Sequence, residues 1–144
     1  MFEGFRVLEL GTWVMVPSAA TVLADFGADV IKVEHPRTGD PGRGRAAGSA
    51  KQGEVSVFVE QTNRGKRSIG LDIAVPEARE VLYKLASTCD VFMTSFLPPA
   101  RQKYLIDVEH IIEDATGLQA QATMRRSLPL RFAQRIADDI VEVF

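Results

Sequence analysis

The hydrophobic positions near the amino terminus form a strand, helix and strand pattern. Residues 6–10 are a short β-rich run that ends at Gly11, and residues 29–33 are a second one. The mostly apolar stretch between them predicts a helix. Pro17 lies at its start, where a missing N–H costs nothing, and Gly27 ends it. The pattern therefore predicts two parallel strands joined by a helical crossover.

A second unit of the same kind follows further along the chain. Residues 67–71 and 89–94 are predicted strands, Asp72 is a candidate helix cap, and Pro76 falls in the first helical turn. The apolar stripe of the intervening helix consists of Ala78, Val81, Leu82, Leu85 and Ala86. Two such units predict an α/β fold with a Rossmann-like parallel sheet and flanking helices.

The carboxy-terminal third is predicted to be helical. Residues 108–112 have the spacing of a short helix, and residues 130–144 have the spacing of a longer one. The apolar stripe of the longer helix is Phe132, Ile136, Ile140 and Phe144. Large apolar side chains on one helix face are usually buried. We therefore expect this stripe to pack against the sheet or against a second chain.

Composition narrows the class of protein. The chain has 144 residues, 46% of them hydrophobic and 25% charged, which is typical of one soluble domain. A net charge of -2 argues against a nucleic-acid partner. The uncharged run at residues 10–24 is shorter than the about 20 residues that a membrane span needs. The start has no basic signal-peptide region. We expect a cytoplasmic protein with no membrane partner.

Few residues could hold a metal ion. Cys89 is the single cysteine, and the two histidines, His35 and His110, are far apart in the sequence. Neither a disulfide nor a cysteine-based metal site is expected. His35 lies at a predicted strand end before a proline, and it is either a ligand contact or an ordinary loop histidine.

A long loop rich in Gly, Pro and Arg is predicted over residues 35–67. It contains seven basic positions against three acidic ones in an otherwise acidic chain. Either the loop is simply solvated, or it offers a surface to a phosphate-rich ligand.

A dinucleotide-binding site has less support from the sequence. Glu34 lies where such a fold has its ribose-binding acid, but the first turn, GTWVMVP, lacks the G-x-G-x-x-G pattern.

The chain contains, in this order, the segments RVLEL, LADFGADVIKVEHP, the Gly-Asp-Pro at 39–41, NRGKRSIGLD and DVFMTSFLPPA. Together these segments resemble family III CoA-transferases, a group that includes the related 2-methylacyl-CoA racemases. Their order and spacing cover about three quarters of the chain. The resemblance implies a coenzyme A-binding Rossmann-like domain over residues 1–115, a helical tail over 116–144 that departs from the family, and a homodimer. Acyl-CoA and a carboxylic acid are the implied substrates.

The resemblance also implies the contacts to coenzyme A. It places the turn that contacts the adenine end on Val14 and Met15. His35 stands where the family often has an arginine, and Ser95-Phe96 stands where it has Asn-Phe. The remaining implied contacts are Leu71, Asp72, Ile73, Ala74 and Lys103.

Family members work through an aspartate nucleophile that forms a mixed anhydride with the acyl group. That aspartate lies in a Gly-rich context, and no such context follows Ile112. Asp114, Asp138 and Asp139 lack it, so the sequence offers no catalytic residue. Three functions stay open: CoA transfer between carboxylic acids, racemisation of an acyl-CoA at its 2-carbon, and non-catalytic binding of coenzyme A or of a partner subunit.

Overall fold

The computed structural model describes residues 1–45 and 57–112. The helix expected at 130–144, its apolar stripe and the proposed boundary at residue 115 lie outside these residues. The described helices and strands are β1 (Arg6–Leu10), α1 (Met15–Asp25), β2 (Asp29–Glu34), α2 (Gly42–Arg45), α3 (Val57–Asn63), β3 (Arg67–Gly70), α4 (Pro76–Ala86), β4 (Val91–Thr94) and α5 (Pro98–Tyr104). Residues 108–112 are also helical, as expected.

The four strands form one parallel sheet in the order β3-β2-β1-β4. The α/β fold with a Rossmann-like parallel sheet is therefore confirmed. Strand β1 is central, and its register with β2 places Arg6 opposite Asp29 and Glu9 opposite Lys32. Both pairs join opposite charges. A register slip would separate both pairs and would also exchange the two faces of a strand that is buried on each side.

Alternate residues of the central strands enter two apolar cores, one on each face of the sheet. On one face, Leu8 and Ile31 pack with Leu82 of α4 and with Ile106. The opposite face contains Val7, Val30 and Met93 from the sheet, and Val16 and Ala20 from α1. Burial on both faces explains why the strand sequences are almost continuously apolar.

The turn between β1 and α1 is tight. A Cβ atom added to Gly11 would lie 2.5 Å from Cγ1 of Val16, so only glycine allows the helix to start this close to the strand. The helix begins at Met15, two residues before the proline that the sequence suggested as its start. Trp13 has a φ of 66°, an unusual conformation for a bulky residue. Gly27, with a φ of 100°, follows the helix end as expected.

Two local predictions were wrong. Residues 35–67 are not one long loop, since they include α2 and α3. Asp72 does not cap α4: Val75 holds that position, and Asp72 instead accepts a hydrogen bond from the Ala74 N–H. Helices as short as α2 and α3 leave little periodic signal in a sequence.

Across residues 1–45 and 57–112, the structure has no helix that is both long and apolar enough to span a bilayer.

The two neighbours Val81 and Leu82 test which face of α4 is buried. Leu82 is fully buried, whereas Val81 is 39% exposed although the sequence put both in the apolar stripe. Leu82→Ala should lower the free energy of unfolding by about 2–5 kcal/mol, because it leaves a cavity under the sheet. Val81→Ala, the matched control, should change it by no more than about 0.5 kcal/mol. Urea denaturation followed by circular dichroism measures both, and equal losses would contradict this packing.

Candidate functional site

A cleft of about 340 Å³ opens at the carboxyl ends of the parallel strands. Its walls come from residues 10–12 at the end of β1, residues 33–35 at the end of β2, residues 38–41 in the loop after β2, residues 71–74 after β3, and Phe96 after β4. Tyr104 of α5 also lines the cleft. Parallel α/β sheets bind ligands at this edge, because the loops that follow neighbouring strands meet there.

Most of the residues singled out from the sequence meet in this cleft. Those that line it are His35, Leu71, Asp72, Ile73, Ala74 and Phe96. Ser95 lies beside them: its Oγ accepts a hydrogen bond of 3.0 Å from the N–H of Thr12, another lining residue. Ser95 therefore ties the turn after β1 to the end of β4.

The other three residues lie outside the cleft walls. Val14 and Met15 form the start of α1, and their side chains are exposed. No side chain caps the first turn of this helix. Lys103 is exposed on α5, with its Nζ 5.1 Å from the ring centroid of Tyr104. Lys103 is therefore next to the cleft through its contact with Tyr104, which lines it.

His35 and Asp72 face each other across the cleft. The Nδ1 atom of His35 accepts the backbone N–H groups of Arg37 and Thr38, each at 3.2 Å. In this arrangement Nδ1 has no proton, so the ring proton is on Nε2. Nε2 lies 3.6 Å from Oδ2 of Asp72, which is near but longer than a hydrogen bond. Local backbone contacts thus fix the ring and direct its N–H toward a carboxylate.

A buried ion-pair network lies beneath the cleft, and sequence reasoning missed it. Lys32 Nζ is 3.1 Å from Glu9 Oε1 and 2.8 Å from Asp40 Oδ2, and all three residues are at least 97% buried. The other oxygen of Asp40 accepts the backbone N–H groups of Trp13 and Gly42. Asp40 therefore fixes the turn after β1 and the loop after β2 to the same lysine.

Lys66 extends the network to α1 and α3. Its Nζ lies 2.6 Å from Glu9 Oε2 and donates to the carbonyls of Pro17 and Thr62. The Thr21 hydroxyl lies within hydrogen-bond distance of the same two carbonyls. Burial lowers the pKa of Lys66, and the hydrogen bond to Glu9 opposes that shift. Lys66 thus has a structural role in joining two helices to the central strand.

Glu34 closes the loop that forms one wall of the cleft. It accepts two hydrogen bonds from the guanidinium of Arg43, at 2.8 and 2.7 Å, and a third from the Asp40 N–H. Burial raises the pKa of Glu34, but Arg43 and that N–H outweigh burial, so the net shift is downward. The pKa of Asp40 is likewise lowered, because Lys32 and two N–H groups outweigh its burial. Both carboxylates are therefore held in the charged form.

The basic residues of the 35–67 segment do not form a cationic surface in the described part of the chain. Lys66 pairs with Glu9, Arg43 with Glu34, and Arg64 and Arg67 with the carboxylates Asp25 and Asp29. Arg37 is exposed and has no carboxylate partner among residues 1–45 and 57–112. Four of the cations in this segment are therefore engaged by carboxylates of the same chain.

The arrangement is suited to binding and supplies little reactive chemistry. Within the described ranges, no group of three or more potential metal ligands occurs. Burial raises the pKa of the Cys89 thiol to about 11, so this thiol is protonated and a poor nucleophile. The cleft instead offers apolar walls with a few fixed polar groups, a usual composition for a small-molecule site.

The buried network makes a sharp prediction for stability. Lys32→Met keeps the volume of the side chain but leaves the buried Asp40 carboxylate without a cation. It should therefore destabilise the fold by about 3–5 kcal/mol. Adding Asp40→Asn should restore part of that loss, since the amide is neutral and its oxygen still accepts N–H groups. Lys84→Met, at an exposed lysine of α4, is the control and should change stability by no more than about 0.5 kcal/mol.

Chemical denaturation of the four proteins, wild type included, decides this. A single Lys32→Met variant as stable as the wild type would show that the network does not stabilise the fold. A double variant no more stable than the single variant would show that the unpaired Asp40 charge is not the cause of the lost stability.

Comparisons with known proteins agree with this architecture. The chain matches CoA-transferase family III over residues 2–118. It is 40% identical over 113 residues to a succinate–glutarate CoA-transferase from Agrobacterium fabrum, covering 76% of this chain and 28% of the relative. It is 43% identical over 96 residues to a formyl-CoA:oxalate CoA-transferase from Rhodopseudomonas palustris, covering 67% and 22%.

A solved structure supports the same assignment. A CAIB/BAIF family protein from Brucella suis superposes with a TM-score of 0.69 at 34% identity, over 78% of this chain and 30% of that one. The chain spans less than a third of the length of each of these three proteins. The family match includes every helix and strand from β1 to α5. The chain therefore belongs to CoA-transferase family III.

Proposed function

We propose that the cleft binds the nucleotide end of a coenzyme A thioester. The chain would then supply the coenzyme A-binding part of an enzyme that moves coenzyme A from an acyl-CoA to a carboxylic acid. One observation carries this proposal. Residues assigned to coenzyme A on the strength of the family resemblance, and scattered between positions 35 and 96, line a single cleft at the ligand-binding edge of the sheet.

The cleft matches the nucleoside portion of such a ligand. Ile73, Phe96 and Tyr104 offer apolar and aromatic surface to an adenine ring, and Phe96 and Tyr104 meet edge to face at 6.2 Å. The Asp72 carboxylate and the Thr12 hydroxyl line the same walls and can meet sugar hydroxyls. A volume of about 340 Å³ holds a nucleoside but not all of coenzyme A. The rest of the ligand would therefore extend out of the cleft.

The family resemblance implied that Val14 and Met15 contact the adenine end, but with adenine placed in the cleft the start of α1 is where the diphosphate would lie. Val14 and Met15 are at the amino end of an eleven-residue helix whose first turn has no side-chain cap. Uncapped N–H groups and the helix dipole favour a negative group at that end. Gly11 allows close approach of this turn to the strand, and Asp40 and Ser95 fix its backbone. A preorganised turn loses little entropy when it binds a ligand.

Chemistry at the thioester requires a group that the cleft does not contain. The family mechanism implied by the sequence resemblance uses an aspartate that forms a mixed anhydride, and none of the cleft carboxylates is suited to this. Glu34 and Asp40 are engaged by cations. Asp72 lies in the proposed nucleoside end, away from a thioester that extends outward. The acceptor would be a small carboxylic acid, as the names of the relatives suggest, and the working unit would be a homodimer.

Binding can be tested by filling the cleft. Isothermal titration of the 144-residue chain with coenzyme A should give weak binding. Ala74→Trp, at an exposed position of the cleft wall, should weaken it about tenfold or more, because the indole takes the place of the nucleoside. Val22→Trp, at a half-exposed site on α1 outside the cleft, is the matched control and should leave binding unchanged.

A wild-type chain that releases no heat and shows no competition with coenzyme A would overturn the proposal. Equal binding by the two tryptophan variants would place the ligand elsewhere on the molecule.

Activity gives a separate prediction. The 144-residue polypeptide, purified on its own, should not move coenzyme A between formate, oxalate, succinate or glutarate and their thioesters, because no carboxylate of residues 1–45 and 57–112 is positioned as a nucleophile and no later aspartate has the family's Gly-rich context. Thioester exchange followed by mass spectrometry measures this. A hydroxylamine-sensitive acyl adduct on any carboxylate of the chain would contradict the prediction and identify the nucleophile.

A further inference from the structure

Arg79 connects helix α4 to the wall of the cleft. Its Nη1 atom donates hydrogen bonds to the backbone carbonyls of Ile73 and Ala74, at 3.0 and 3.1 Å, and both of these residues line the cleft. The guanidinium of Arg79 is therefore held directly beside the segment that follows β3. Sequence reasoning gave this arginine no role.

Most of the Arg79 guanidinium is available to a ligand. Of the five N–H groups of a guanidinium, the two on Nη1 meet the two carbonyls. The three on Nε and Nη2 have no hydrogen-bond partner among residues 1–45 and 57–112, and the side chain is only half-buried. Nε and Nη2 form one edge of the planar group, and such a fork of donors matches two oxygens of a phosphate.

The charges around the cleft favour an anionic ligand. Three cations beside it have no carboxylate partner within the described ranges: Arg37, Arg79 and Lys103. Among the cleft carboxylates, Glu34 and Asp40 are neutralised by ion pairs, and Asp72 lies 3.6 Å from the His35 ring. Three unpaired cations thus outnumber one unpaired carboxylate, which suits a ligand with several phosphate charges.

The order of the strands separates two places where a phosphate could bind. In the order β3-β2-β1-β4, the segment held by Arg79 follows β3, whereas the start of α1 follows β1. Neighbouring strands are about 4.8 Å apart, so these two places are on the order of 10 Å apart. Two phosphate groups of one nucleotide could therefore bind separately, with the nucleoside between them.

We propose that Arg79 binds the ribose 3′-phosphate of coenzyme A and gives the cleft a preference for coenzyme A over dephospho-coenzyme A. This inference rests on the proposed function and names a residue that determines specificity at that site. With the 5′-diphosphate at the start of α1, the second phosphate of the ribose lies toward β3, beside the free edge of Arg79. That phosphate has a charge of about -1.5 to -2 at neutral pH, and Nε and Nη2 donate two charge-assisted hydrogen bonds to it.

The test compares two ligands that differ only in the 3′-phosphate. In isothermal titrations, the wild-type chain should bind coenzyme A at least about tenfold more tightly than dephospho-coenzyme A, as expected for hydrogen bonds between charged groups. Arg79→Gln should bring the two affinities to within about twofold of each other, mainly by weakening coenzyme A. Lys84→Gln, the matched control, removes the same charge from an exposed position of the same helix and should keep the wild-type ratio.

The ratio of the two affinities separates recognition from a purely structural role. If Arg79 only fixes the carbonyls of Ile73 and Ala74, Arg79→Gln weakens both ligands by the same factor, and the unchanged ratio overturns the inference. Equal affinity of the wild type for both ligands overturns it as well, while the coenzyme A site stands. If neither ligand binds, the proposed function fails and this inference fails with it.

The other two unpaired cations give the remaining controls. Arg37→Gln and Lys103→Gln should keep the wild-type ratio, whatever they do to the two affinities. A ratio that is lost in either of them and kept in Arg79→Gln would assign the 3′-phosphate to that cation and overturn the inference. Circular dichroism checks that each variant is folded.

A second substitution at the same position covers the case in which Arg79→Gln does not fold. Arg79→Lys keeps the positive charge but loses the planar fork, so the ratio should fall by about threefold or more. An unchanged ratio in Arg79→Lys would contradict binding of the phosphate by the guanidinium edge.

Discussion

The ion pairs of Lys32 with the carboxylates of Glu9 and Asp40 position the strands and loops around the cleft. Three ionised groups are buried together, and each is tolerable only because the others are in place. The network fixes the register of the two central strands and joins the turn after β1 to the loop after β2. Both segments contribute residues to the walls of the cleft.

The same network decides the electrostatics of the site. A sequence with an excess of basic residues between positions 35 and 67 indicates a cationic surface, but folding pairs Lys66, Arg43, Arg64 and Arg67 with carboxylates from elsewhere in the chain. These charges hold the loops around the cleft in place.

The two ends of the candidate site differ in physical character. The cleft is lined by apolar and aromatic side chains with fixed donors and acceptors, whereas the start of α1 presents an uncapped helix end with exposed side chains. In the proposed function, the nucleoside of coenzyme A lies in the cleft and its diphosphate lies at the helix end.

The sequence by itself determined the strand and helix order, because apolar periodicity and proline and glycine positions are local signals. The family resemblance in turn located six of the residues that line the cleft, and their role in binding stays a prediction. Only the tertiary structure decided the pairing of Glu9, Lys32, Asp40 and Lys66. Glu9 and Lys32 interrupt two apolar strands at matching positions, a signal that the sequence contains. Their partners Asp40 and Lys66 come from loops, and the side chains that neutralise each charge depend on distances that exist only after the chain has folded.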